Sequence, residues 1–463
     1  MAKASRTGAE LAEPLQSLIR GDIVDRGHPD YEQARRVDNG SIDRHPELIV
    51  HCVDAGDVIA ALAVGREAGL DIAVRGGGHS VPGFGTVDDG LVIDLGPIRN
   101  VRVDPVARLA DVGGGATLGD LDHATHSFGL ATPTGVLSTT GVGGLTLGGG
   151  QGYLTRKHGL TIDNLLSADV VLADGSFVQA SETENEDLFW ALRGGSGNFG
   201  IVTSFNVRLH PVKNVVAGPM LWPLDHGAEV MRLYRDFISQ APEELTGIFA
   251  FVTVPPAPPF PQELHLQKAA GVIWCWAGPP ERADEVLAPF RALSPALDGV
   301  GEIPYPAIQT AFDPLYPPGL QSYWRGHVFD ELSDEAIERH VDGARKLPTP
   351  LSGVLVYPID GAAARVGDTE TAWAHRGARF SEVIFGTDPD PARFDDLRSW
   401  TLECWEALRP HASEGAYVNF IGQDGQERVR PSYGPNYDRL AELKSKYDPQ
   451  NIFHVNQNIP PGR

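Results

Sequence analysis

The chain has 463 residues, more than a single hydrophobic core usually organises, so two or more domains are expected. Apolar residues make up 42% and charged residues 21%, as in ordinary globular proteins, and no apolar run reaches the length needed to cross a bilayer. The net charge of −23 disfavours nucleic acid and anionic membranes as partners, because both require a basic protein surface.

The N-terminal segment and the cysteines bear on the cellular compartment. Residues 1–20 contain no apolar stretch of the kind found in secretory signals. The three cysteines, Cys52, Cys275 and Cys404, lie far apart and form neither a disulfide framework nor a zinc-binding pattern. These features predict a cytoplasmic protein, in which the glycosylation sequon at Asn39 would have no role.

Residues 47–210 are predicted to alternate between short strands and helices. The first helix has Asp54 as a plausible N-cap. The predicted helices are 54–69, 117–128 and 185–192. The predicted strands are 48–53, 71–74, 91–94, 102–104, 109–112, 165–173, 177–180 and 201–209, with a hairpin turn at 174–175.

The pattern changes after His210. Helices and strands continue to alternate up to about residue 415, which indicates a separate α+β domain. The predicted helices there are 226–240, 281–293, 333–346 and 391–409, and the predicted strands lie near 247–254, 271–276, 321–329, 352–357 and 379–385. A last amphipathic helix is predicted at 435–447.

Three consecutive glycines follow the strand 71–74, in the run Arg75-Gly76-Gly77-Gly78-His79-Ser80. Glycine accepts positive φ and lets the backbone approach a ligand closely. Successive N–H groups in such a turn form a concave anion site that suits a pyrophosphate. Arg75 adds a positive charge, and His79 is a nucleophile. The run therefore predicts a cofactor that is both bound and covalently attached; an ordinary glycine turn with a surface histidine is the alternative.

This loop resembles the flavin-binding loop of the vanillyl-alcohol oxidase/para-cresol methylhydroxylase superfamily, in its berberine-bridge-enzyme-like branch. In that family, the histidine at the position of His79 carries FAD on its 8α-methyl carbon. The resemblance implies a two-domain α+β fold. Residues 1–213, with a core at 42–213, would bind FAD together with the segment 416–463, and residues 214–415 would form a substrate domain over the flavin.

A second glycine-rich run covers residues 134–150 and contains seven glycines. Because glycine weakens helices and central strands, we expect neither element here, but backbone lying flat against a planar ligand. Interleaved valine, leucine and threonine argue against a flexible linker. The run resembles the family's segment along the isoalloxazine ring. The cofactor contacts implied here are Pro133, Gly135, Thr139, Thr140, Gly143, Gly144, Leu145, Gly149, Gly150 and Tyr153.

Two positions in this run bear on the chemistry. Leu137 stands where some family members have a cysteine that forms a second bond to the flavin, so the resemblance implies a single tether through His79. Thr140 stands where a small residue leaves room for oxygen beside the flavin, which favours an oxidase over a dehydrogenase.

Residues Gly195 to Gly200 match the pattern G-x-G-x-x-G, which indicates a nicotinamide site only where a strand precedes and a helix follows. The predicted order is the reverse, so we reject that interpretation. The segment resembles the family's adenine-side loop, and the runs 417–420 and 447–458 resemble its closing strand and its FAD-contacting tail. The contacts implied by these segments are Gly200, Val202, Tyr417, Asn419 and Asn456.

The catalytic base is the least certain assignment, because Phe420 stands where many family members have a tyrosine that acts as base. His158, in the run 156–159, is a candidate replacement, since an imidazole titrates near neutral pH. Tyr357 and Glu382, on predicted substrate-domain strands, are weaker candidates, and Gln151 could hydrogen-bond a substrate. Each of these residues has an alternative interpretation as an ordinary core or surface residue.

Aromatic residues of the predicted substrate domain suit a flat or polycyclic substrate, although they would serve equally well in a core. They are Trp274, Trp276, Tyr323, Trp324 and Tyr357. A metal is not expected, because His123 and His126 share a helix face without an evident third ligand.

The resemblance implies an FAD-dependent oxidoreductase. It would transfer a hydride from an alcohol or amine carbon of a small organic substrate to flavin N5, with O2 as acceptor and H2O2 as product. A dehydrogenase with another acceptor, a sugar or oligosaccharide oxidase, and a catalytically silent flavin-binding protein are the alternatives. The chain is expected to act as a monomer or homodimer.

Overall fold

The computed structural model describes residues 7–257 and 260–462. Within this part of the chain the α-helices are α1 (Gly8–Leu15), α2 (Tyr31–Ala34), α3 (Ala55–Ala68), α4 (Leu118–His126), α5 (Val142–Gly148), α6 (Thr155–His158), α7 (Glu186–Leu192), α8 (Gly227–Ile238), α9 (Ala283–Arg291), α10 (Tyr305–Thr310), α11 (Asp334–Arg345), α12 (Phe394–Leu408), α13 (Gln426–Tyr433) and α14 (Tyr437–Tyr447).

The strands of the described residues are β1 (Asp22–Asp25), β2 (Leu48–His51), β3 (Ile72–Arg75), β4 (Leu91–Asp94), β5 (Val101–Asp104), β6 (Leu109–Gly113), β7 (Leu130–Ala131), β8 (Leu165–Val171), β9 (Phe177–Ser181), β10 (Ile201–Arg208), β11 (His210–Pro211), β12 (Asn214–Pro223), β13 (Leu245–Thr253), β14 (Lys268–Trp276), β15 (Leu297–Asp298), β16 (Gly301–Pro304), β17 (Gln321–Phe329), β18 (Gly353–Pro358) and β19 (Phe380–Asp388).

A four-stranded sheet in the order β1-β2-β4-β3 supports the first glycine loop. Strands β2, β3 and β4 run parallel, and α3 connects β2 to β3. This helix begins where the Asp54 side chain accepts a hydrogen bond from the N–H of Asp57, and it ends at Gly69 with φ of 67°, so the predicted cap is confirmed. The carboxyl end of β3 then delivers the chain directly into the loop 76–80.

A five-stranded antiparallel sheet in the order β5-β6-β10-β8-β9 forms the second layer. The hairpin between β8 and β9 turns at Gly175, which has φ of 89°, as the sequence predicted. Helix α7 precedes the run 195–200 and β10 follows it, which confirms the order that excludes a nicotinamide site.

The third sheet has eight strands, seven of them in the order β15-β12-β14-β13-β18-β19-β17, with β16 paired to β12. Because side chains alternate along a strand, one face packs against helices and the other faces a cavity. Phe249 and Trp274 belong to the helix-covered core, together with residues of α8, α9, α11 and α12. Ile248 and Leu355 line the cavity.

Two expectations about local structure were wrong. Residues 142–148 form helix α5 despite their glycines. A Cβ at Gly143 would stand 2.8 Å from the carbonyl oxygen of Gly114, so close packing against a neighbouring segment overrides the low helix propensity of glycine. Residues Val418–Phe420 form a 3₁₀ turn, not a closing strand. The sequence reasoning also missed β12, the strand that opens the third sheet.

The connection between β18 and β19 leaves the third sheet and packs into the core of the second. Ile359, Ala372 and Trp373 belong to that core cluster. Buried Arg376 donates two hydrogen bonds to the carboxylate of Asp163, at 2.7 and 2.8 Å. This crossing segment ties the third sheet to the second.

No helix of the described residues is long and apolar enough to cross a membrane. Within the same residues, no group of three or more histidine, cysteine, aspartate or glutamate side chains is arranged to hold a metal ion. Asn39 is 3% exposed, and its amide donates to the carbonyl oxygens of Val81 and Ser322, at 2.7 and 3.0 Å. In the folded chain the sequon is therefore a structural element.

Replacing Asp122 by asparagine is expected to stabilise the protein at alkaline pH. The Asp122 carboxyl on α4 is buried, accepts one hydrogen bond from Gln309 at 3.1 Å, and leaves its other oxygen without a partner. Burial raises its pKa to about 7. The pKa of an aspartate in the unfolded chain is near 3.9. The free energy of unfolding is therefore highest below pH 4, and it falls as the pH rises from about 4 to about 7.

The loss amounts to at most about 4 kcal/mol. Chemical denaturation at pH 4 and pH 8 should therefore give similar stabilities for Asp122→Asn and the parent at pH 4, and a more stable variant at pH 8. Asp225→Asn, at an exposed site, controls for the change in net charge. Equal stabilities of variant and parent at both pH values would show that folding does not raise the pKa of Asp122.

Candidate active site

A cavity of about 500 Å³ is lined by residues from the three larger sheets and from the C-terminal segment. This volume lies in the range typical of small-molecule sites. The loop after β3 and the run 135–153 form one side, and β12, β13, β14, β17, β18 and β19 of the third sheet form the other. The residues 196–202 and 453–457 close one end.

The first glycine loop presents unused backbone donors to this cavity. In the described part of the chain, none of the N–H groups of residues 76–80 donates an intramolecular hydrogen bond. Gly78 has φ of 73°, which a side chain would oppose. Gly77 crosses Gly141 so closely that a Cβ would stand 2.4 Å from the Gly141 nitrogen. The loop thus lines the cavity with backbone N–H groups that have no intramolecular acceptor, as an anion site requires.

The guanidinium of Arg75 has less freedom than the sequence suggested. It donates to Asp94 at 2.7 Å and to the carbonyl oxygen of Arg36 at 3.2 Å. Burial opposes ionisation of Asp94, but hydrogen bonds from His51 and Arg75 outweigh it and lower the Asp94 pKa to about 2. Arg75 lines the cavity with its charge already paired, so anion binding depends mainly on the backbone N–H groups.

His79 lines the cavity, and its side chain is 17% exposed. Its Nε2 lies 3.7 Å from the carboxylate of Asp38, whose pKa burial raises and His79 lowers. Asp38 is also held by its backbone, which accepts from Gly319 and donates to Gly78. Sequence reasoning missed Asp38, because no local motif marks it; only the fold brings residues 38 and 79 together.

Most of the residues predicted to contact the cofactor line this one cavity. They are Arg75, Gly76, Gly77, Gly78, His79, Ser80, Gly135, Thr140, Gly143, Gly144, Leu145, Tyr153, Gly200, Val202, Tyr417, Asn419 and Asn456. They come from segments separated by up to several hundred residues, so the fold collects at one place the motifs that the sequence distributes.

Pro133, Thr139, Gly149 and Gly150 do not line the cavity, which corrects their predicted role. Pro133 is buried and the side chain of Thr139 is exposed. A Cβ at Gly149 would stand 2.8 Å from the ring of Trp373. The N–H of Gly150 donates to the hydroxyl of Tyr417 at 2.9 Å. These two glycines thus permit close packing between segments.

His158 lies outside the cavity lining, so the structure gives no support to it as the base. Its ring stacks on His210 with the centroids 3.8 Å apart, and its buried Nε2 has no hydrogen-bond partner. Burial, helped by nearby positive charge, lowers its pKa to about 3. His158 therefore occupies a packing position between α6 and β11, and not the catalytic position that the sequence suggested.

The prediction that Glu382 faces the substrate is also wrong, because its side chain lies on the other face of the strand. Its neighbour Val383 lines the cavity, whereas Glu382 points to the opposite, helix-covered face of β19. There it is fully buried and paired with His340 of α11. It cannot touch a substrate in the cavity.

Tyr357 and Gln151 do line the cavity. The hydroxyl of Tyr357 makes no intramolecular hydrogen bond within the described residues, and burial raises its pKa above the usual value. The Gln151 amide donates to the hydroxyl of Ser381 at 3.0 Å, which fixes its orientation and leaves its Oε1 without a partner. Both side chains are therefore available for polar contacts with a ligand.

Six aromatic rings surround this part of the cavity, and we call them the aromatic box. Phe420 is central, with ring centroids 4.9 Å from Tyr417, 5.7 Å from Tyr357 and 6.3 Å from Trp324. Phe385 lies 6.4 Å from Trp324 and 6.1 Å from Tyr316. The members are Tyr316, Trp324, Tyr357, Phe385, Tyr417 and Phe420, all of which line the cavity.

The aromatic candidates divide according to the face of the sheet. Trp324 and Tyr357 belong to the box, whereas Trp274 and Trp276 are fully buried in the helix-covered core. Tyr323 packs beside Arg325, outside the cavity lining. The sequence did not single out Tyr316, although it lies in the proline-rich connection 312–320, and binding residues are common on such connections.

Residues 46–181 match the family model described as FAD binding domain, and residues 416–460 match the one described as berberine and berberine like. The chain is 32% identical, over 459 residues, to an FAD-linked oxidoreductase of Dictyostelium discoideum. That alignment covers 98% of this chain and 97% of the relative.

Two solved structures extend the comparison. One is 6-hydroxy-D-nicotine oxidase from Arthrobacter nicotinovorans, with a TM-score of 0.85, 26% identity, and coverage of 97% of this chain and 100% of that one. The other is xylooligosaccharide oxidase from Myceliophthora thermophila, with a TM-score of 0.85, 26% identity, and coverage of 98% and 99%. The two-domain fold and both family matches lead to the same assignment: the chain belongs to the berberine-bridge-enzyme-like family of FAD-linked oxidoreductases.

Proposed function

We propose that this chain is an oxidase that carries FAD on His79, oxidises an alcohol or amine carbon of a small organic substrate, and returns the electrons to O2 as H2O2. The observation that carries the proposal is the loop 76–80, whose free N–H groups and terminal histidine line the same cavity as the aromatic box. The names of the relatives agree with both classes of substrate, since one is a nicotine oxidase and another an oligosaccharide oxidase.

The residues of the cavity fit a flavin dinucleotide. Gly77 and Gly141 form a crossing that any Cβ would obstruct, and Gly144 has open space where a Cβ would stand. Asn456 lines the cavity with a buried Oδ1 that lacks a protein partner. When bound, FAD supplies the hydride acceptor, and the chain supplies binding, orientation and exclusion of water.

We further propose the domain roles that the resemblance implied. Residues 1–213 and 416–463 would form the FAD domain and residues 214–415 the substrate domain. Leu137, in the cavity lining, has no nucleophilic atom, so His79 would be the single tether. Thr140, also in the lining, would leave space for O2 beside the flavin.

A visible spectrum of the purified protein, followed by acid precipitation, tests this proposal. We expect a flavin spectrum, a yellow pellet, and the mass of FAD on the peptide that contains His79 and on no other peptide. After photoreduction without air, admission of O2 should reoxidise the flavin within seconds. Flavin released into the supernatant would refute the tether, and slow reoxidation would favour a dehydrogenase.

A further inference from the structure

We propose that the substrate is an amine that reacts in its neutral form, carries a flat apolar ring system, and is oxidised at a carbon next to nitrogen without a protein base. This inference rests on the proposed function, because it concerns the substrate of the same cavity. It follows from the chemical groups that line the cavity and from those that the lining lacks.

The substrate side of the cavity carries no ionisable acid, histidine, lysine or arginine. This holds for all of residues 214–257 and 260–462 that contribute to the lining. On the other side, within residues 7–213, the lining contains three such groups: Asp38, Arg75 and His79. Arg75 is paired with Asp94, and Asp38 faces His79, the proposed tether.

The remaining ionisable groups of the lining are tyrosines, and they are poor proton acceptors. Burial raises the pKa of Tyr417 to about 12, and it raises those of Tyr153, Tyr316 and Tyr357 as well. These phenols therefore stay protonated at neutral pH. With phenylalanine at position 420, these protonated phenols are the only ionisable groups of the aromatic box.

Three hydroxyl-bearing residues of the substrate side, Ser322, Ser352 and Thr387, already make hydrogen bonds within the third sheet. The backbone N–H of Thr387 donates to the hydroxyl of Ser352, and the hydroxyls of Thr387 and Ser322 lie 3.3 Å apart. An oligosaccharide would need many partners for its hydroxyls, because a buried hydroxyl without a partner is costly. Rings stacked in the aromatic box need no such partners.

This lining favours oxidation of an amine over oxidation of an alcohol, the two reactions of the proposed function. Oxidation of an alcohol removes the O–H proton as well as the C–H hydrogen, so it needs a proton acceptor. A neutral amine needs none: the C–H bond breaks with its electron pair, which leaves as hydride to the flavin, while the nitrogen lone pair forms C=N. The substrate loses two electrons, water hydrolyses the iminium product, and O2 takes up the electrons.

Anaerobic stopped-flow reduction of the flavin-loaded protein tests the inference. 2-Naphthylmethylamine and 2-naphthylmethanol form a matched pair that differs only in the amino or hydroxyl group. We expect the amine to reduce the flavin at least about a hundredfold faster. The reduction rate should rise with pH along the pKa of the amine itself, and ring-substituted amines of different pKa should move the midpoint by the same amount.

A binding measurement without turnover gives an independent readout. Cumylamine has no hydrogen on the carbon next to nitrogen, so it can bind without reacting. Its affinity, followed by perturbation of the flavin spectrum, should rise with pH to a plateau above its pKa, and its trimethylammonium analogue should bind at least tenfold more weakly. Tighter binding of the cationic form would overturn the inference.

Tyr357→Phe distinguishes a positioning role from a role as base. The variant should lower the affinity for the amine several-fold but leave the midpoint of the pH profile at the pKa of the substrate. A midpoint that moves with the variant, or faster reduction by the alcohol, would overturn the inference. Because flavin content and reoxidation are measured beforehand on the same protein, failure of the proposed function is seen separately as missing flavin.

Discussion

Replacing Gly77 by alanine is expected to abolish flavin incorporation and to destabilise the folded chain by about 3 kcal/mol or more. The new Cβ would stand 2.4 Å from the nitrogen and 2.6 Å from the Cα of Gly141. Both atoms belong to the backbone, so no side chain can rotate away and the two glycine segments must separate. The separation would open the cavity between the anion loop and the run 135–145.

Gly144→Ala is the matched control for this variant. Gly144 has no atom within 4 Å of an added Cβ, and it lies inside helix α5, where alanine is favoured over glycine by about 1 kcal/mol. The apo protein should therefore be as stable as the parent or more so. Because Gly144 lines the cavity, its Cβ should nevertheless weaken flavin incorporation.

Thermal melts of the apo proteins, together with flavin content after reconstitution, separate the two effects. Gly77→Ala should lose both stability and flavin, whereas Gly144→Ala should lose flavin alone. A Gly77→Ala protein with parental stability would show that the two glycine segments are free to move apart. Full flavin content in Gly144→Ala would place the cofactor away from helix α5.

Local sequence signals were sufficient to predict some elements of the fold and not others. Capping, glycine stops and hydrophobic alternation predicted α3, the hairpin at Gly175 and five of the six longer strands of the third sheet to within a few residues, because these signals are local. Strand β12 was missed, and it contains a glycine and two prolines, which weaken the sequence signal of a strand. Helix α5 was missed because contact between distant segments decides its conformation.

The residues of the candidate site fall into the same two groups, those with a local sequence signal and those without one. Many cavity-lining residues could be predicted because they occur in glycine-rich runs, which allow the backbone to approach a ligand closely. The catalytic candidates could not, since a single residue carries no periodicity of its own. Glu382 lies one position from a cavity-lining residue, and that phase is fixed only by the register of β18 with β19. Asp38 and Tyr316 reach the cavity through loops, for which sequence gives no direction.

His79→Ala is expected to remove all acid-stable flavin while leaving non-covalent FAD binding in place. The N–H groups of residues 76–80 belong to the backbone, so the substitution keeps the anion site and deletes only the nucleophile. The structural cost should be small, because within the described residues the His79 ring makes no hydrogen bond and lies 3.7 Å from the carboxylate of Asp38. Without the positive potential of His79, the pKa of Asp38 should rise further.

In-gel flavin fluorescence after denaturation measures the covalent fraction, and the visible spectrum of the native protein measures total flavin. His226→Ala, at an exposed position just before α8 and outside the cavity lining, should keep both quantities at the parental level. If His79→Ala retained acid-stable flavin, another nucleophile would hold the cofactor. If it lost all flavin, the bond would be needed for binding itself, and the free N–H groups of the loop would be insufficient as an anion site.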